Sequence, residues 1–386
     1  MVKLNKTFPY LILILLTIVF FWKVFFKSYI PIPTDMLVGS YYPWLDSGNV
    51  PVKNPLITDV FSQFFIWKKI IADSYKNLSL PFWNPYSYSG YPLLATFHSA
   101  VLNPFNFLMV FFSQSFGWSL LVISQHLFSS LTFYFLVKKI SKNKFASVTG
   151  SLVYAFNGFI ISWSQFATIG FVFIWLPLLF LNLIHFFEKK QLKYLYINSI
   201  LLFFINVSGH FQAMFISYLI YVLYFIYKSL HNKINIKLVI NFCFSIILSI
   251  FLSSIQIFPT IELTHLSIRL TDNSLEQINF GLIPIKNLIT LYAPDYFGNP
   301  TTGNFWGSIN YHETIAYTGL FSIIILFISI KKLSKTNYFF VVLALLSICL
   351  SFDTVLGKLI YTLKIPYLSS SGASRLFLLT PFRFQF

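Results

Sequence analysis

The sequence predicts an all-α polytopic membrane protein, and three observations carry that prediction. Only 10% of the 386 residues are charged while 56% are hydrophobic, too few charges to solvate a soluble domain of this length. Apolar runs of membrane-crossing length recur along the chain, without the strict alternation of a transmembrane β-barrel. Lysines fall in pairs at the ends of those runs, as the positive-inside rule requires.

Taken in order, the first run, Phe8–Phe26, exits past Lys23 and Lys27 without a small-residue cleavage site and reads as an uncleaved first span. Further spans are expected at 118–137, 146–163, 168–187, 194–208, 211–227, 238–258, 314–330 and 338–350, with another beginning near 376, all in one domain of residues 1–386. Segment 93–112 is apolar but broken by Pro104 and asparagines, and reads as a re-entrant or interfacial piece. An inside N-terminus gathers 15 Lys and Arg into the inner segments MVKLNK, KKISKNK, EKKQLK, KSLHNKINIK and KKLSKTN. Outer loop 27–117 then holds five and outer loop 259–313 holds two.

The acids tell the complementary story. Of eleven Asp and Glu residues, only Glu188 falls inside. A mid-bilayer acid costs about 2.5–3.5 kcal/mol, which explains their exclusion from spans but not from inner loops. The polar chemistry therefore faces outward. The net charge of +16 does not imply nucleic acid, because the lysines form no single stripe but flank the spans. Cys243 and Cys349 both lie in apolar runs, which argues against a disulfide framework or a thiolate metal site.

Within the first outer loop, Thr58–Lys76 is amphipathic. Val60, Phe61, Phe64, Phe65, Trp67, Ile71 and Tyr75 share one broad face, with Asp59, Ser62, Gln63, Lys69, Asp73 and Lys76 mostly opposite. This pattern predicts a helix in the membrane plane, with Trp67 and the lysines at headgroup depth. Thr58 is the expected N-cap, which puts Asp59 in the first turn, and Gln63 projects from the same side. A carboxylate at the outer face suits a general base that takes a proton from an attacking hydroxyl. Completion of the helix start is the competing role for Asp59. The turn WNPYSYSGYP reads first as a Pro/Gly-ordered structural element with belt aromatics.

Other polar positions gather at outer ends. His210 and Gln212 lie in GHFQ at a hairpin between spans, where His210 could bond a sugar or phosphate or satisfy the turn's backbone. Glu262, His265 and Arg269 are spaced to share a helix face. Asp295, His312 and Glu313 follow, with Asp295 and Glu313 near span entrances. Histidines with acids could hold a divalent metal, but no tight spacing such as H-E-x-x-H occurs, so no metal site and no cofactor is expected. Arg375 could grip a phosphate bidentately or snorkel at a span end.

Read together, D-x-x-x-Q on the interfacial helix, LPFWNPY, GYPLLA, GHFQ at 209–212, APDYFG at 293–298, YHETIAYTG at 311–319 and the segment around Arg375 resemble the YfhO family of bacterial membrane proteins. That family lies within the GT-C class of integral-membrane glycosyltransferases. The resemblance implies a GT-C-like helical bundle whose long first outer loop carries interfacial helices. It implies an enzyme in the bacterial plasma membrane that moves a sugar from a polyprenyl-phosphate donor to a cell-envelope glycan or lipid acceptor at the outer face. The acid of the first outer loop is then the catalytic base. Asp59 is the best match, with Asp35 as the rival, and Gln63, His210, Gln212, Asp295, Glu313 and Arg375 are the substrate-binding candidates. The chain stops at TPFRFQF, just inside an apolar run where family members continue, and so reads as truncated at the C-terminus. The alternative function is a non-enzymatic lipid-linked saccharide transporter or a membrane scaffold. A transporter would place charged or broken helices near the bilayer midplane.

Overall fold

A computed structural model describes residues 7–47, 50–232, 234–267, 281–329, 335–364, 368–369 and 372–384; Arg269, Asp272 and Glu276 lie outside these ranges. The segment after α1 (Phe8–Phe20) and α2 (Trp22–Lys27) contains three short α-helices, α3 (Asp35–Ser40), α4 (Phe65–Lys76) and α5 (Phe107–Phe111), among shorter 3-10 and π pieces. Between α4 and α5, β1 (Trp83–Asn84) and β2 (Tyr91–Pro92) pair antiparallel, the only ladder among the described residues.

The bundle is built around α6 (Gln114–Ser141), which packs on α7 (Lys144–Ala155) and α9 (Ile169–Lys189). In turn α9 carries α10 (Lys193–Asn206) and α11 (Phe211–Asn232), and α10 carries α12 (Ile236–Leu252). Aromatic side chains fill the seams. Phe133 of α6 stacks on Tyr154 of α7 at 4.0 Å, and Phe225 stacks on Phe242 at 3.6 Å. A Cβ at Gly170 would lie 2.1 Å from Gln125 Oε1, so glycine there leaves room for the Gln125 side chain between α9 and α6.

Three helices, α6, α9 and α11, are long and apolar enough to cross a membrane, and bent pairs raise that number to five among the described residues. Leu11, Leu15, Phe244, Ile247, Phe251 and Ile328 are exposed, an apolar surface suited to lipid rather than water. This is an all-α membrane protein.

The bends have identifiable causes and compensations. The expected 146–163 span is two helices, α7 and α8 (Gly158–Trp163), which with the turn after it is bent by 41°. Asn157 caps α8 by accepting from Ile160 N, while His126 Nδ1 lies 2.7 Å from Ala155 O and Gln125 Nε2 donates to Ser164 O at 2.8 Å. Backbone groups freed inside a membrane cost several kcal/mol unless so partnered. Within α9, Pro177 has no N–H for the Phe173 carbonyl, and the Tyr154 hydroxyl donates to it instead at 3.1 Å.

The 238–258 segment is likewise not one straight helix. It turns by 75° at Ser253 into α13 (Ser254–His265), with Asn206 Nδ2 donating to Ser253 Oγ at 2.7 Å. The bend lays α13 beside the segment between α4 and α5, where Gln256 donates to Leu94 O (2.6 Å) and Thr260 to Ala95 O (3.0 Å). Phe21 interrupts 8–26 between α1 and α2. The 314–330 segment starts its helix only at Leu320, after a short α14 (Tyr311–Thr314); α15 is Leu320–Ser329. Beyond α16 (Lys335–Ser351) and α17 (Val355–Thr362), residues Ala373–Phe384 form a 3-10 helix packed on α16.

Candidate functional site

The amphipathic stretch folds as a π turn, Val60–Phe64, running into α4. Val60, Phe64, Trp67 and Ile71 are buried while Lys69 and Asp73 stay exposed, as the periodicity predicts. Two details differ. Thr58 does not cap the helix; the preceding 3-10 turn is capped by Asn54, which accepts from Leu56 N at 3.0 Å. Lys68, assigned to neither face from the sequence, is fully buried, unlike the lysines expected at headgroup depth. It donates to Ser99 O (3.0 Å) and Asn106 Oδ1 (2.8 Å), and burial lowers its pKa to about 7. Lys68 thereby ties α4 to the 97–106 segment.

Asp59 is exposed at the entrance of the π turn and accepts from Gln63 Nε2 at 3.2 Å. Gln63 also lines an open groove of about 480 Å³ between the start of α4 and the β1–β2 hairpin. The rival acid, Asp35, is bound to the backbone, accepting from Lys53 N at 2.8 Å.

A second polar assembly gathers residues from five separate parts of the chain. Arg375 Nη1 donates to Glu313 Oε2 at 2.6 Å, and the Ser374 hydroxyl donates to the same oxygen. The guanidinium lies 4.8 Å over the Trp163 ring, at the end of α8. Against Trp163 stand His312 at 4.7 Å and His210 at 6.0 Å, both edge-to-face, and His98 stands 5.5 Å from His210. Gln212 donates to Gly372 O at 3.2 Å, holding the chain just before Arg375.

The electrostatics follow from this packing. Burial, then the charges of His98 and Arg375, pushes His210 well below the usual imidazole pKa. Its Nδ1 accepts from Ala213 N at 3.2 Å, as a neutral ring can. Burial also lowers His312 to about 4, against the opposing pull of Glu313. The 3.6 Å contact between His312 and Glu313 is therefore not an ion pair at neutral pH. Arg375 Nε, Trp163 Nε1 and His312 Nδ1 are buried with no hydrogen-bond partner among the described residues.

The two assemblies share one end of the molecule. Phe64, from the Asp59 helix, packs on His98 (6.4 Å) and Phe166 (5.5 Å), and Phe166 packs on His312 (5.5 Å). Asn310 Nδ2 donates to Leu56 O at 3.3 Å, joining the two loops. Asp295 belongs to neither group. It accepts from Tyr311 Oη at 2.6 Å and Asn299 Nδ2 at 3.0 Å. Burial first, then that bond and the Asp295 charge, raises the Tyr311 pKa.

Of the residues singled out in the sequence, the fold thus brings Glu313, Arg375, His210 and Gln212 together and keeps Asp59 with Gln63. Trp163, His98 and Ser374 escaped sequence reasoning. Trp163 carried no local signal, whereas His312 lies within the YHET motif. Among the described residues, no three His, Cys, Asp or Glu side chains group as a metal site.

Residues 50–360 match the family model described as bacterial membrane protein YfhO, well over half of the chain. The chain belongs to the YfhO family. The YfhO match includes Asp59, Gln63, His210, Gln212, Asp295 and Glu313, while Asp35 and Arg375 fall outside it. Searches of curated proteins and of solved structures returned no match.

Proposed function

We propose that this YfhO-family chain is a GT-C-like membrane glycosyltransferase of the bacterial plasma membrane. Its N-terminus lies inside and its site faces outward, where a sugar moves from a polyprenyl-phosphate donor to a cell-envelope acceptor. One observation carries the reading: an accessible carboxylate, Asp59, shares one end of the bundle with a guanidinium surrounded by unpartnered buried nitrogens. A phosphate is the natural partner for Arg375 Nε and Trp163 Nε1, and Glu313 already holds the other edge of the guanidinium.

In this mechanism the acceptor oxygen attacks the sugar's anomeric carbon. The new C–O bond forms as the bond from that carbon to the phosphate oxygen breaks. Asp59 takes the acceptor's proton, oriented by Gln63, and the bonding pair leaves with the polyprenyl phosphate toward Arg375. Asp295 supports the loop that carries His312 and Glu313, through Tyr311. No cofactor enters the scheme.

The breaks at Asn157 and Ser253 favour a second reading, transport of the lipid-linked saccharide, since secondary transporters build their sites from discontinuous helices. Reconstitution in liposomes with a radiolabelled sugar on polyprenyl phosphate separates the two. Sugar transfer with release of an equal amount of polyprenyl phosphate is expected. Movement of the intact donor across the bilayer, with no polyprenyl phosphate released, would make the protein a transporter.

A further inference from the structure

The groove beside Asp59 carries chemistry that the mechanism above leaves unassigned. We infer that it is a neutral-saccharide subsite that holds the acceptor's sugar ring, an assignment that rests on the glycosyltransferase reading. Four observations support it.

Asn84 lines the groove and is fully buried. Its Oδ1 accepts from Tyr86 N at 3.0 Å, which fixes the amide's orientation, and its Nδ2 has no hydrogen-bond partner among the described residues. A buried amide N–H without a partner is costly, and a ligand acceptor atom would remove that cost.

Aromatic rings supply the second element. Trp67 donates its indole N–H to the Tyr91 hydroxyl, so the Tyr91 proton remains available to the groove. Tyr88 also lines the groove yet is 91% exposed, held at a hairpin tip where Tyr88, Ser89 and Gly90 all have positive φ. Its ring therefore offers a free face. A pyranose presents C–H faces for such rings and a rim of hydroxyls for amides and phenols.

Charge narrows the ligand. The described lining of Ser62, Gln63, Asn84, Ser87 and Thr96, with Trp67, Ile66 and the two tyrosines, contains no Asp, Glu, Lys, Arg or His. A phosphate would need a cationic partner here, and Arg375 is not among the lining residues. Finally, Gln63 both lines the groove and bonds Asp59, so a hydroxyl bound here is delivered toward the proposed base. The volume, about 480 Å³, is on the scale of small-ligand pockets.

The test is saturation-transfer NMR on the full chain in lipid nanodiscs, with methyl β-D-glucoside and sn-glycerol 3-phosphate as probes. The glucoside should bind and the phosphate should not. Asn84→Asp keeps the oxygen that accepts from Tyr86 N but loses the amide donor, and should weaken glucoside binding about tenfold. Tyr88→Ala, at an exposed tip where folding is not at risk, should weaken it about three- to fivefold. Wild-type affinity in both variants, or preference for the glycerol phosphate, overturns the assignment. Transfer assays keep the two proposals apart. Glucoside binding with these losses, but no sugar transfer by the wild type, leaves the groove standing and removes the enzyme. Transfer with an unchanged acceptor KM in both variants removes the groove and leaves the enzyme.

Discussion

The two carboxylates Asp59 and Glu313, at one end of the molecule, are held in opposite ways. Asp59 is exposed and carries one amide bond of 3.2 Å, leaving oxygen lone pairs free for an incoming hydroxyl. Glu313 is about four-fifths buried, and one of its oxygens already accepts from both Arg375 and Ser374. Those two donors leave Glu313 less open to an incoming hydroxyl than Asp59. Burial therefore sorts two chemically similar acids into different tasks. Glu313 fixes the cation, while Asp59 keeps the open oxygens that the proposed base role needs.

If that division holds, the largest effect on stability belongs to Glu313→Gln. It leaves the Arg375 charge uncompensated over Trp163 and should cost about 3 kcal/mol, read as a lowered Tm in detergent. Asp59→Asn should shift Tm little, since its carboxylate is exposed. Equal Tm values for the two variants would erase the comparison.

A smaller effect follows from pH. Burial holds His312 at about 4, below its ordinary 6.5, so the unfolded chain binds a proton that the folded chain refuses. The stability from a neutral His312 is complete above about pH 6.5 and is lost as pH falls from there toward about 4. His312→Phe should flatten the Tm profile across that window. An unchanged slope would show that His312 is not the buried neutral group described here.

The smallest effect is expected where the surface governs. Lys69 and Asp73 form an exposed pair at 2.5 Å, four residues apart on α4. Lys69→Ala should change stability by no more than about 0.5 kcal/mol by chemical denaturation. A loss approaching that of Glu313→Gln would mean that exposure does not separate the two kinds of ion pair.

Much of the helical architecture was legible because period and composition are local signals. The alternation that buries Val60, Phe64, Trp67 and Ile71 is visible in the sequence itself. Lys68 was not legible, since only tertiary contacts with Ser99 and Asn106 make burial of a lysine tolerable. The Asn157–Gly158 pair was a readable break signal inside an apolar run, whereas the bend at Ser253 depends on a hydrogen bond from Asn206, 47 residues away. The candidate site was legible as a set of polar residues in the segments between apolar runs. Its grouping was not, because Trp163, His210, His312 and Arg375 meet only through packing of distant segments.

The central claim is that Asp59 takes the acceptor's proton, and one measurement addresses it most directly. Sugar transfer from a polyprenyl-phosphate donor is compared for wild type, Asp59→Asn and Asp35→Asn in the same liposomes, with Tm recorded for each. Asparagine keeps the size and a hydrogen bond to Gln63 but cannot accept the proton. Asp59→Asn should lose about 10²-fold or more in rate at near-wild-type Tm, while Asp35→Asn, whose carboxylate braces Lys53, keeps transfer. Full transfer by Asp59→Asn would contradict the account, and its loss in Asp35→Asn alone would move the base to Asp35.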